Sequence, residues 1–216
     1  MSTAPAPRSP RSPLRAEPAR PRLAWAGRPP QPDAARERLL DAASRCIARD
    51  GLTATGIAAV ADEAGVSRPT VYRYFRDRDA LVDAALLRAG TAQLARMKAH
   101  IAGFSTPEEK AVEAMLFVLR EMPRDPVLRQ AWNASLVEAT IVRGFTGPRA
   151  LSLCCEALAG LSAAARWSAA EAREATETML RFSLSLLLAP EPERGERALR
   201  AFLRRRLVPA LRLERS

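Results

Sequence analysis

Side chains suited to covalent chemistry are few in this chain. Histidine occurs once, at His100, with no carboxylate or thiol cluster near it in the sequence. A metal centre needs several converging ligands, and a hydrolytic triad needs a base beside its nucleophile. Neither pattern is present, and no glycine-rich loop offers a cradle for phosphate. The cysteines are Cys46, Cys154 and Cys155. An odd number argues against a disulfide framework and fits a reducing compartment. A disulfide between neighbours is strained, so Cys154 and Cys155 read as small buried hydrophobes. The chain is therefore expected to be no enzyme, with no cofactor and no metal site.

A different chemistry is concentrated between Ser67 and Arg78, where Ser67, Arg68, Thr70, Tyr72, Arg73, Tyr74 and Arg78 supply hydroxyls and guanidinium forks. Hydroxyls and guanidiniums are the groups that bond phosphate oxygens and base edges. Val71 and Phe75, four apart, take the inward positions of the same helix and leave the polar residues mostly outward. Taken alone, such a face is more often an ordinary solvated one; its neighbours decide.

Those neighbours are short helices. Asp33, just after Pro32, suits an N-cap. Ala35, Leu39, Ala43, Cys46 and Ile47 then share one face of a first helix over about 34–49, which Gly51 stops. Thr55 or Gly56 caps a second helix carrying Ile57, Val60, Ala61 and Ala64. Gly65 allows the left-handed backbone of a sharp turn, Val66 plugs the gap, and Ser67 caps the third helix with Pro69 in its first turn. Asp77 caps a fourth helix carrying Leu81, Val82, Ala85, Leu86 and Ala89. Two short helices around a glycine turn, the second with a basic and aromatic face, make a helix-turn-helix suited to the major groove.

Order and spacing across residues 36–88 resemble the N-terminal domain of the TetR family of transcriptional regulators. The segments that carry the likeness are ArgGluArgLeuLeuAspAlaAla, ValAlaAspGluAlaGlyValSer, ProThrValTyrArgTyrPhe and ArgAspArgAspAlaLeu. The resemblance implies that Thr70 and Tyr74 face bases and phosphates and that Tyr72 bonds a phosphate. It implies that Arg78 stands in for a lysine that approaches phosphate, presenting a fork in place of a point charge. Arg68 and Arg73 are added from their position on the helix. The chain departs from the pattern in two places. Cys46 or Ile47 replaces an aromatic late in the first helix, and Gly56 stands where threonine is common.

Composition supports an all-α fold. Hydrophobic residues make up 48% of the 216, aromatics only 5%, and β-branched residues never alternate. Residues 1–32 hold nine prolines, six arginines and one acid, Glu17. They read as a disordered tail, either an arm adding salt-sensitive phosphate contacts or an idle extension. Residues 33–89 hold nine arginines and nine acids, so DNA binding there rests on where the charges sit and not on their sum. The organisation expected is a tail (1–32), a helix-turn-helix domain (33–89), and a helical ligand-binding and dimerisation domain (90–216) joined through helix four. No apolar run is long enough for a membrane span, and the N-terminus lacks a signal-peptide core, so a cytoplasmic location is expected.

Beyond residue 90 the breakers place helices at about 107–121, 126–142, 148–165, 168–189 and 193–206, with helix four reaching about Ala102. Apolar side chains available to line a pocket are Phe104, Met115, Phe117, Leu119, Met122, Trp132, Leu136, Leu153, Trp167, Met179 and Phe182. Each also reads as plain core. Their character suggests a lipophilic or partly aromatic effector, with Glu138, Arg143 or Arg181 orienting a polar end. The stretches 179–190 and 201–211 look like the final two helices of many TetR-type regulators. The resemblance implies a four-helix dimer interface formed through Leu180, Leu184, Leu187, Leu188 and Phe202; intramolecular core is the other reading of the leucine stripe. A dimer would set two recognition helices about 34–36 Å apart, one turn of DNA, and select a palindromic operator. Repression relieved by a small ligand is the function expected. A ligand-free architectural DNA-binding protein is the alternative, and indifference to DNA sequence would mark it.

Overall fold

The computed structural model describes residues 31–133, 147–189 and 195–213, and all regular structure among them is helical. The first helix, α1 (Pro32–Asp50), starts one residue before the expected cap. Gln31 takes the cap position and Pro32 the first turn, where a missing N–H costs nothing. Asp33 falls inside that turn, its charge placed favourably near the helix N-terminus. Ala35, Leu39, Ala43, Cys46 and Ile47 are all buried, as their spacing requires. Gly51 ends the helix at φ +85°, a conformation that strains any side chain.

Gly56 caps α2 (Ile57–Ala64), while the Thr55 hydroxyl donates to the Gly51 carbonyl at 2.8 Å and ties the preceding loop to the end of α1. Gly65 adopts the left-handed conformation, φ +69°, and the Val66 amide reaches back to the Ala61 carbonyl. That geometry turns the chain sharply into α3 (Arg68–Tyr72). Ser67 caps α3 by accepting from the Thr70 amide. The helix is short, but the Tyr74 and Phe75 amides both still bond the Val71 carbonyl. Asp77 caps α4 (Arg78–Ala102) by accepting from the Ala80 amide at 2.7 Å. Val71 and Phe75 join Leu39, Ile47, Val60 and Leu81 in one core, with Val66 packed at its edge.

The long α4 leads into a second core. Thr106 and Glu109 form a reciprocal capping box at the start of α5 (Pro107–Glu121). Residues 111–117 of α5 are all buried, so this helix is enclosed on every side. A 3-10 turn over Met122–Arg124 absorbs Pro123 and leads to α6 (Leu128–Asn133). The expected helix over 148–165 is two helices, α7 (Pro148–Ala157) and α8 (Ala159–Ala165). Leu158, at φ −93° and ψ 9°, breaks it while remaining buried. After a left-handed turn at Arg166, Ser168 and Glu171 box the start of α9 (Ala169–Leu188). The last helix, α10 (Glu196–Ala210), runs four residues past its expected end. Pro209 lies in the final turn, so its missing N–H costs one helical bond, at the Arg205 carbonyl, and only Ala210 of the helix follows it. α4, α9 and α10 pack around α5, with α7 wedged between α4 and α9.

Candidate DNA interface and interior cavity

α3 presents a divided surface. Val71 and Phe75 face the core, at 0% and 4% exposure. Tyr72 is 54% exposed, and Arg68 and Arg73 are exposed beside it. Arg68 and Tyr72 make no hydrogen bond or ion pair among the described residues, so their polar groups are free for an incoming partner. Two positions depart from a freely solvated face. Thr70 is half-buried, its hydroxyl 2.8 Å from that of Ser67. Tyr74 is half-buried and packs against the N-terminal core, with the Arg73 guanidinium 5.9 Å from its ring centre.

Arg78 departs further from the expectation. Its guanidinium donates to the Thr55 carbonyl at 2.8 Å, to the Leu52 carbonyl, and to Asp79 at 2.8 Å. The fork straps the start of α4 to the loop before α2, and three of its five N–H groups are already engaged. On the other side, Glu63 of α2 accepts from Arg45 at 2.7 Å and Arg49 at 3.0 Å, both on α1. These two hydrogen bonds hold the Glu63 carboxyl below its usual range. Arg36 lies 5.1 Å over the Phe75 ring, a cation–π contact that steadies the segment after α3. These contacts tie α1, α2 and the start of α4 together around the core on which Val71 and Phe75 seat α3.

The two cores touch through α6. Val127 belongs to the N-terminal core, and the Gln130 amide nitrogen donates to the Ala48 carbonyl of α1 at 3.4 Å. Asp125 accepts from the Val127 and Leu128 amides, both at 2.9 Å, and from Gln93 of α4 at 3.2 Å. Nothing in the local sequence marks Val127 as part of the first domain's core.

A cavity of about 60 Å³ lies within the second core. Leu94 and Met97 of α4, Ala114, Met115 and Val118 of α5, and Met122 form one side. Cys154, Leu158 and the α9 face of Thr176, Met179, Leu180, Ser183, Leu184 and Leu187 close the other. Of the side chains expected to line a pocket, Met115, Met122 and Met179 do so. Phe104 does not; its ring meets His100 at 5.4 Å near the end of α4. Phe117 is buried in the core, its ring 5.5 Å from the same histidine. Leu119 and Leu153 are half-buried outside the lining, and Trp167 and Phe182 pack against the core elsewhere. Leu136, Glu138 and Arg143 lie outside the described residues, as does the side chain of Trp132. Arg181 is exposed and paired with Glu177 at 2.7 Å, turned away from the cavity.

The leucine stripe is divided between two surfaces. Leu180, Leu184 and Leu187 turn into the cavity, and Leu184 is already buried within the single chain. Leu188, 40% exposed, and Phe202, stacked on Phe182 at 5.8 Å, lie on the outer side of α9 and α10. The three cysteines are free. Cys46 is buried; Cys154 and Cys155 are only partly so. Burial pushes the Cys154 thiol up to about 11, so it stays protonated and behaves as an apolar wall group. His100 is not isolated either. Its Nε2 lies 3.5 Å from Glu113, which Arg200 of α10 clamps on its other oxygen. Glu113 is buried, so this pairing supplies the charge compensation that burial demands.

Fold and surface together define a helix-turn-helix protein with a helical companion domain. Residues 39–85 match the family model described as bacterial regulatory proteins, tetR family. An uncharacterised HTH-type transcriptional regulator of Mycobacterium tuberculosis is 36% identical over 99 residues, 45% of this chain and 48% of that protein. The HTH-type transcriptional repressor KstR of Rhodococcus jostii is 32% identical over 108 residues, 48% of each chain. The chain thus spans about half the length of the curated relatives it matches. The TetR family repressor AlkX of Dietzia, implicated in biodegradation of n-alkanes, superposes with a TM-score of 0.61 at 25% identity, over 82% of this chain and 95% of that one. The multidrug binding protein EbrR gives 0.58 at 28% identity, over 81% and 90%. Residues 39–85 thus carry the N-terminal domain described for the tetR family, and the chain shares the helical fold of TetR-family structures.

Proposed function

We propose that the chain is a sequence-specific DNA-binding regulator acting as a homodimer, a cytoplasmic repressor released from a palindromic operator by a small lipophilic ligand. The observation that carries this reading is the free polar surface of Arg68 and Tyr72 on a helix seated through Val71 and Phe75 on the N-terminal core. A rigid donor surface loses little freedom on docking, which favours specific readout over loose charge attraction. Arg68, Tyr72 and Arg73 are the contacting residues. Ser67, Thr70 and Arg78 position them, and Tyr74 does both. Tyr72→Ala should weaken operator binding by about 1–3 kcal/mol while leaving the melting temperature nearly unchanged, because an exposed side chain is removed.

A second copy would pack on the outer face of α9 and α10, where Leu188 and the Phe182–Phe202 stack lie beside Arg181 and Arg206. The lipophilic ligand is supported by the apolar cavity, and in kind by what AlkX and EbrR are named for. Residues 1–30, outside the described residues, would serve as a basic arm; deleting them should flatten the salt dependence of binding.

Selection of bound duplexes from a random pool at physiological salt tests the whole reading. Enrichment of an inverted repeat supports a sequence-specific dimer. Retention of DNA without enrichment overturns it in favour of sequence-indifferent binding.

A further inference from the structure

The cavity between α4, α5, α7 and α9 gathers an unusual share of one residue type. Beyond Met1, the chain has four methionines: Met97, Met115, Met122 and Met179. All four line this one cavity. Thioether side chains are unbranched and polarisable, with three rotatable bonds, so a wall built from them yields to the shape of what enters. The cavity's own volume, about 60 Å³, is several times the roughly 10–15 Å³ that one water needs and well below the 300 Å³ or more of a ligand-sized pocket. A longer occupant must therefore push walls aside, and these walls can move.

The polar groups at the lining are equally informative. Among the described residues, no charged side chain lines the cavity. Its hydroxyls belong to Thr176 and Ser183, and each spends its proton within α9. Thr176 donates to the Ala172 carbonyl at 2.7 Å, and Ser183 to the Leu180 carbonyl at 2.9 Å. What they keep for a ligand is acceptor capacity alone. The remaining polar atom, the Cys154 sulfur, is a thiol that burial keeps protonated. Among the described residues, a carboxylate entering here would find no cation and no free hydroxyl donor, and an ammonium would find no anion. Burying an unpaired charge costs far more than an apolar chain gains.

We infer that this cavity takes a neutral hydrocarbon chain or ring carrying at most a lone hydroxyl, and excludes carboxylates and amines of the same length. The hydroxyl would donate to Thr176 or Ser183. The inference rests on the proposed ligand-released repressor for its regulatory meaning, but the binding site itself does not depend on that reading.

Four eight-carbon probes separate the classes: octane, octan-1-ol, octanoate and octylammonium, each added to the full chain at pH 7. Octane and octanol should raise the melting temperature, by about 2–4 °C once bound well above their Kd, while the two ions leave it unchanged. Ala114→Leu, which fills the cavity from α5, should abolish the rise if circular dichroism shows it folded. Ser183→Ala keeps the cavity and guards against a misfolded first variant; it should retain the octane shift and reduce that of octanol. No shift with octane, or an equal shift with octanoate or octylammonium, overturns the inference. Release of operator DNA is scored separately. Octane binding that leaves DNA bound supports the site and strikes the repressor reading alone.

Discussion

Arg78 sits at the first position of α4 and sends its nitrogens back to the carbonyls of Leu52 and Thr55. A lysine carries the same charge but has one nitrogen and cannot span both acceptors. Arg78→Lys should therefore lower stability by about 1–2 kcal/mol, measured by urea unfolding, with operator affinity falling in parallel. A variant as stable as the parent, yet weaker on DNA, would assign Arg78 to phosphate contact instead. Glu63 makes a pH-dependent contribution at the same scale. Its folded carboxyl titrates below the usual 4.5, because Arg45 and Arg49 bond the ionised form. That stabilisation is complete above pH 4.5 and fades as pH falls through the lower folded value. Glu63→Gln should cost about 1 kcal/mol at pH 7, modest because both arginines are half-exposed, and the gap to the parent should close in acid.

At the scale of elements, the caps decide where the helix-turn-helix begins and bends. Gly56 is an N-cap in extended geometry, φ −124° and ψ 169°, and a Cβ there would meet nothing within 4 Å. Gly56→Ser should stabilise the fold by about 0.5–1 kcal/mol, through a capping hydroxyl and a less flexible unfolded chain. A thermal scan should show a rise of about 1–4 °C. Gly65 is the opposite case. At φ +69° any side chain is strained by about 1–2 kcal/mol, and the strain falls on the turn that aims α3. The caps at Ser67 and Asp77 were legible because each is a short polar residue at the start of an apolar period. The break at Leu158 was not. No proline or glycine marks it, and buried contacts on both sides hold a backbone that local preference would keep helical.

For the whole molecule, the junction at α6 joins the cavity-bearing core to the N-terminal one. Val127 inserts into the N-terminal core and Gln130 bonds α1, while Met122, a short way back along the chain, lines the cavity. Under the proposed reading, an occupant that widened the cavity would shift Met122 and, through the 3-10 turn, the anchor of α6. Val127→Ala combined with Gln130→Ala should leave ligand-induced thermal stabilisation intact but reduce ligand-induced DNA release, with the coupling weakened by about 0.5–2 kcal/mol. Titrating operator binding with and without ligand measures it directly. Equal release in parent and variant would mean that coupling runs elsewhere, for example along α4.

Local sequence determined the caps at Ser67 and Asp77, the glycine turn and the burial of Val71 and Phe75. Each depends on residues within about four positions, and backbone geometry fixes their relations before any tertiary contact forms. It also determined that Arg68, Tyr72 and Arg73 would face outward, because the apolar period leaves them no other side. The tertiary structure decided which face of α9 is interior. Leu180, Leu184 and Leu187 form a stripe that suits a partner or a core; the packing of α4, α5 and α7 turns it onto the cavity and leaves Leu188 exposed and Phe202 half-buried. It likewise decided the partners of Arg78, Gln130 and Glu113, which lie 26, 82 and 87 positions away along the chain. Contacts of that range depend on the angles at which helices pack, and periodicity within one helix carries no information about the angle to the next.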